Sequence, residues 1–150
     1  MASDDAMDTE KVLGTLQEAL QQQAESILTM ATMAGTLRGV GGAAVKTSLR
    51  SFVLAELEDT YLLVEKMSAL GGKPALSVAA IDIPDDSDDA LSVLLEHEVK
   101  AVAALHGVIA HSGQEPRSEA LEHLLEHLIM RKQQQIDFLW HASSQEEPLA

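Results

Sequence analysis

Apolar residues recur every three to four positions along this chain, in four runs separated by glycine- and proline-bearing breaks. That period belongs to an amphipathic helix rather than a strand. The first run puts Leu13, Leu16, Leu20, Ala24, Ile27, Ala31 and Ala34 on one face. It predicts a helix from Thr9, a suitable N-cap with Glu10 in its first turn, to about Ala34 or Leu37. Glu18 and Glu25 fall away from the stripe and read as surface charges. Gly35, Gly39, Gly41 and Gly42 interrupt the pattern, so Arg38 to Ala44 is expected to be a loop or frayed turn. A second helix is expected to begin between Val45 and Ser48 and to end at Leu70. Its inward face reads Phe52, Val53, Thr60, Leu63, Met67, Leu70, and Gly71-Gly72 before Pro74 stops it. A third helix, capped by Asp86 or Ser87, runs to about His111 with Leu91, Leu94, Leu95, Val102, Leu105 and Ile109 inward. A fourth, from about Arg117 to Trp140, turns Leu121, Leu125, Leu128, Ile136 and Leu139 inward.

Lys73 to Asp86 carries Pro74, Pro84 and several aspartates. It is long for a helix–helix connection, which usually takes about 2–8 residues. A segment of this length can travel along a bundle, so the second and third helices are expected to be parallel. The fold class read from the pattern is all-α: an up-down-down-up four-helix bundle with a long crossover between helices 2 and 3. It spans residues 9–141, between a mobile acidic N-terminus (1–8) and a short polar tail (142–150).

Composition narrows the function classes. The 150 residues suffice for one domain with a sizeable core. Apolar residues make up 46% and aromatics only 3%, a mix that favours packed helices. The absence of cysteine excludes disulfides, thiolate metal sites and a cysteine nucleophile. A formal net charge of −14 argues against general affinity for DNA, RNA or anionic lipid. The opening MASDDAMDTE lacks the apolar segment of a signal peptide, and Ser26 to Leu37, the longest uncharged run, is too short to span a bilayer. A cytoplasmic location is therefore expected, with neither membrane nor nucleic acid as partner.

The chemistry lies in the middle of the stripes, where the pattern puts Leu20, Glu56, Glu98 and Lys132. Asp59 and Gln135 follow three residues beyond the second and fourth. A carboxylate pointing into a helical core is costly unless it is paired, protonated or bound to a cation. Three acids and one base are thus expected to converge.

These positions carry a family resemblance. ELEDTYLLVEKMSALGGKP resembles the second helix and glycine-proline exit of the bacterioferritins, in the ferritin-like superfamily of di-iron bundles. In that family one glutamate from each of two helices, and a Glu-x-x-His pair from each of the other two, point inward around the metals. The resemblance puts Glu56 on the glutamate of the first pair and Asp59 where its histidine would be. LLEHEVKAVAALHGVI puts Glu98 on a lone glutamate. RKQQQIDFLW puts Lys132 and Gln135 on the second pair, and VLGTLQEAL puts Leu20 on the other glutamate. A di-iron centre takes roughly six protein ligands. With Lys132, Gln135, Asp59 and Leu20 in four of the positions, ferroxidase activity is not expected. The Lys132 ammonium is expected to bridge Glu56 and Glu98 as a structural ion pair, with Gln135 beside it. The alternative is a remnant site in which Glu56, Asp59 and Glu98 hold one divalent cation (iron, manganese or zinc). No other cofactor is expected.

The remaining motifs read as structure. His123 and His127 share a face, but the outer one, flanked by Glu122 and Glu126, and they lack a third ligand. His97 and His111 are expected to be exposed and His106 to border the core. Gly39-Val40-Gly41-Gly42 follows no strand and lacks the Lys-Ser/Thr of a P-loop. Met30 and Met33 read as packing residues rather than haem ligands. Leu54, Leu57 and Tyr61 form a second apolar stripe on the second helix, which something should cover. The family resemblance implies a homodimer through helices 1 and 2. The chain stops before the fifth helix that builds ferritin cages, so a 24-subunit shell is not expected. The function expected is that of a ferritin-like bundle with most ferroxidase ligands lost, a structural or interaction protein whose protein partner the sequence does not name. A metal-binding relative is the second reading.

Overall fold

The computed structural model describes residues 6–143, so the expected N-terminal stretch up to residue 5 and the tail from residue 144 lie outside the described residues. Four helices follow one another: α1 (Thr9–Thr36), α2 (Gly39–Ala69), α3 (Ser87–Ile109) and α4 (Pro116–Ala142). Helix α1 is capped by Asp8 rather than Thr9. The Asp8 carboxylate accepts from the Lys11 N–H, and its own N–H donates to the His111 carbonyl at 3.0 Å. Met7 is buried with the first core cluster, and its N–H donates to Glu115. This segment is therefore fastened to the α3–α4 turn.

The largest departure from the sequence pattern is the start of α2, which begins at Gly39 and absorbs the expected loop. Only Leu37 and Arg38 separate it from α1. Gly39 takes φ +81, open to glycine and strained for other residues, and turns the chain back. Gly42 lets the new helix approach the old one, since a Cβ there would lie 2.9 Å from the Leu37 carbonyl carbon. These glycines are turn and packing devices rather than loop spacers. At the other end α2 stops as expected, with Gly71 at φ +89 and the Gly72 N–H returning to the Met67 carbonyl. Asp86 caps α3 through the Asp89 N–H, and that helix ends at Ile109, short of His111.

The core is two apolar clusters. One holds Val12, Leu16, Leu63, Met67, Leu105, Leu121 and Leu125. The other holds Met30, Met33, Leu49, Leu91, Leu94, Ile136 and Leu139. Residue numbers rise together between the clusters in α1 and α4, and fall together in α2 and α3. The order is therefore up-down-down-up, with α2 and α3 parallel. Each fully buried leucine contributes on the order of 1.5–3 kcal/mol. On α1 Leu16, Leu20, Ile27 and Ala34 are buried as expected, joined by Val12, Ala19, Met30 and Met33, while Leu13 and Ala24 are half-buried and Ala31 is exposed. The crossover lies against α1, where the Gln17 amide brackets the Ala75 backbone and the Gln21 amide does the same at Ser77.

A buried charged layer as the candidate functional site

Between the two apolar clusters lies a polar layer. It arises from substitution within a regular repeat. In α2 the buried sequence is Leu49, Glu56, Leu63; in α3 it is Leu91, Glu98, Leu105; in α4 it is Leu125, Lys132, Leu139. A step of seven residues is nearly two helical turns, so each charged residue takes a position that its neighbours above and below give to leucine. The helices bring the three side chains to one point. Lys132 Nζ donates to Glu56 Oε1 at 2.6 Å and to Glu98 Oε2 at 2.8 Å. Both glutamates are 0% exposed and Lys132 is 1% exposed. This is the bridge expected from the sequence.

Asp59 goes elsewhere. Its carboxylate meets Arg131 Nε at 3.2 Å, and the Arg131 guanidinium also contacts His127 Nε2 at 2.9 Å. Sequence reasoning left Asp59 without a cation and overlooked Arg131. Arg131 follows no inward stripe and precedes the core lysine by one position. Its long, partly exposed side chain brings its charge back to the buried Asp59. Gln135 is buried beside the layer, as expected. Gln23 and Ser26 of α1 are also buried, and the Gln23 amide donates to the Glu56 backbone carbonyl at 3.3 Å.

The electrostatics follow from burial. Burial pushes the Glu56 carboxyl up to about 8, against the opposing pull of Lys132 and with a further push from Glu98. Burial also raises Asp59, opposed mainly by Arg131. For Lys132, burial favours the neutral amine, but attraction to Glu98 and Glu56 and their hydrogen bonds outweigh it, so the ammonium is stabilised above its ordinary range. Three acids thus face two fixed cations. Glu56 Oε2, Glu98 Oε1, Asp59 Oδ1 and Gln135 Oε1 are buried and receive no hydrogen bond within the described protein.

These residues do not fit a dinuclear iron centre. A protonated lysine cannot ligate a metal and repels one, and here it engages both glutamates that the resemblance makes ligands. Asp59 and Gln135 stand where the resemblance expects the two histidines, and Asp59 is engaged by Arg131. Among the described residues, no three His, Cys, Asp or Glu side chains form a metal-holding group. The histidines do not supply one. His123, His127 and also His106 are exposed, while His97 and His111 are half-buried, and His97 Nε2 lies 3.2 Å from the Gln22 carbonyl. Among the described residues no helix is long and apolar enough to cross a membrane.

An up-down-down-up bundle with a polar layer at mid-height defines the class of ferritin-like helical bundles. The ferritin-like domain matches residues 13–145, and the chain belongs to that family. Its fold is shared by a ferritin-like diiron-carboxylate protein of Bacillus anthracis, with a TM-score of 0.82 and 19% identity over 94% of this chain and 98% of that one. A dodecameric thioferritin, the bacterioferritin-related protein of Bacteroides fragilis, superposes with a TM-score of 0.81 at 14% identity, covering 91% and 86% of the two chains. Rhodobacter capsulatus bacterioferritin, solved with a metal-free dinuclear site and haem iron, gives 0.78 at 20% identity, covering 88% and 82%. Among proteins of curated function, none gives a significant sequence match.

Proposed function

We propose that this chain is a ferritin-like bundle in which a lysine has replaced the metal, and that it serves as a non-catalytic structural or interaction protein. The observation that carries this reading is the Lys132 ammonium, hydrogen-bonded to Glu56 and Glu98 at the centre of the core. A cation supplied by the side chain neutralises the layer that a ferroxidase reserves for iron. Aerobic addition of Fe(II) tests it: oxidation should not exceed the buffer rate. Rapid oxidation in proportion to protein would overturn the reading.

A second reading keeps one divalent cation on Glu56, Asp59 and Glu98. It is favoured by the buried carboxylate oxygens that receive no hydrogen bond, and opposed by the two cations already paired with those groups. Metal analysis of protein purified without chelator separates the two readings.

Pairing with a second copy belongs to the first reading. Leu54, Leu57 and Tyr61 are 70%, 50% and 61% exposed on one stripe of α2. Three large side chains in a row on one helix face are more than the scattered exposure usual for a monomer.

A further inference from the structure

Of the four seams between antiparallel helices, that of α2 with α4 is the loosest. The cause is legible in α2. Ser48, Ser51 and Ala55 recur every three to four residues along its side of the seam, where larger side chains would close the gap. A cleft of about 360 Å³ results. Small-molecule sites occupy about 300–1,000 Å³. Phe52 and Phe138 line it edge to face, with ring centroids 5.4 Å apart. Arg131 and Gln135 of α4 line it as well, and they bring its strongest polar groups.

Those polar groups retain hydrogen-bonding capacity. Gln135 is 3% exposed, and its Oε1 receives no hydrogen bond within the described protein. A buried acceptor left unpaired costs free energy that a ligand's donor can recover. The Arg131 guanidinium engages Asp59 and His127, and its fork carries further N–H donors.

This combination selects among ligands. An anion would compete with Asp59 for Arg131 and would set oxygen against the Gln135 oxygen. A cation would satisfy Gln135 but would meet the Arg131 charge. A neutral hydroxyl both donates and accepts, so it answers both groups. The two phenylalanines favour an aromatic body for that hydroxyl, since aromatic rings gain from packing on one another beyond the area they bury. We propose that the α2/α4 cleft binds a small neutral phenol, its ring against Phe52 and Phe138 and its hydroxyl between Gln135 and Arg131. The hydroxyl donates to Gln135 Oε1 and accepts from the guanidinium. Such binding goes beyond a structural role, and it does not depend on the loss of iron chemistry proposed above.

Para-cresol and para-xylene share one shape and differ by a hydroxyl in place of a methyl, so they test the claim on the full chain. An NMR titration reads affinity and place together. Para-cresol should bind saturably at a single site, at least about tenfold more tightly than para-xylene, as a hydrogen bond to a buried acceptor requires. The ring resonances of Phe52 and Phe138 should shift most. Ala55→Leu fills the cleft and should abolish binding. Gln135→Leu removes the acceptor and should bring the two ligands to within about twofold of each other. Equal or tighter binding of para-xylene by the parent would mean that the cleft offers apolar surface alone, and it overturns the proposal. So does an absence of saturable para-cresol binding, or a set of shifts gathered on another face. If Ala55→Leu fails to fold, the Gln135→Leu comparison and the shifts at the two phenylalanines decide.

Discussion

Lys132 and Glu56 lie 76 residues apart in sequence and 2.6 Å apart in space. Neither is solvated, so each is tolerable only because of the other and of Glu98. A buried pair adds little net stability compared with apolar side chains of the same size, but deleting one member leaves a bare charge in the core.

Lys132→Met should therefore destabilise the fold by about 3–5 kcal/mol at neutral pH. Chemical denaturation at pH 7 measures it. A variant that unfolds with the parent at pH 7 would show that Lys132 does not hold the centre of the core.

Lys132→Glu should respond to metal. It restores a carboxylate where the family carries one and gathers three glutamates in the layer. Melting in EDTA should occur well below the parent, with partial recovery on adding Mn(II) or Fe(II), because a ligand that binds only the folded form stabilises it. Lys132→Met should recover less. Equal recovery in both variants would show that the metal acts elsewhere.

Glu56→Gln tests the protonation of the layer. In the folded chain Glu56 titrates at about 8 against an ordinary value of 4.5, so between these values the folded form holds more protons than the unfolded one. Its contribution to stability is complete below 4.5, declines across the interval and is lost above about 8. The parent should lose stability from pH 5 to pH 8, with a slope from this group of up to about 1.4 kcal/mol per pH unit. Glutamine, neutral at every pH, should flatten that slope. Some dependence should survive at the acid end, where Asp59 is also raised and acts in the same sense. Equal slopes in parent and variant would place the proton on another group.

Two glycine substitutions should act in opposite directions. Gly42→Ala drives a methyl into the Leu37 backbone at 2.9 Å and should cost about 1–3 kcal/mol. Gly14→Ala meets nothing within 4 Å inside α1 and should gain about 0.5–1 kcal/mol. Thermal melts of the two variants check the signs.

Helix number, order and the crossover were legible in sequence because each helix buries one face, which leaves a period of three to four residues. Glu56, Glu98 and Lys132 were legible for the same reason: a charge inside an apolar stripe has few places to go. The start of α2 was not, since Gly39 and Gly42 read as loop residues and only the close approach of Leu37 explains them. Nor was the Arg131–Asp59 contact, because the reach of a long side chain is set by rotamer and not by register. The pairing of Gln17 and Gln21 with the crossover was hidden as well. A glutamine on a helix surface carries no signal of the strand-like segment that it will hold.

The charge at the centre of this bundle is joined to the chain by covalent bonds. A bound metal stabilises a fold by mass action, so its effect rises and falls with the free ion in the surroundings. A side-chain ammonium is present at one equivalent in every molecule from synthesis onward. On this account the parent should melt at the same temperature in EDTA as in a divalent salt of matched ionic strength. Its folding would then be indifferent to iron scarcity.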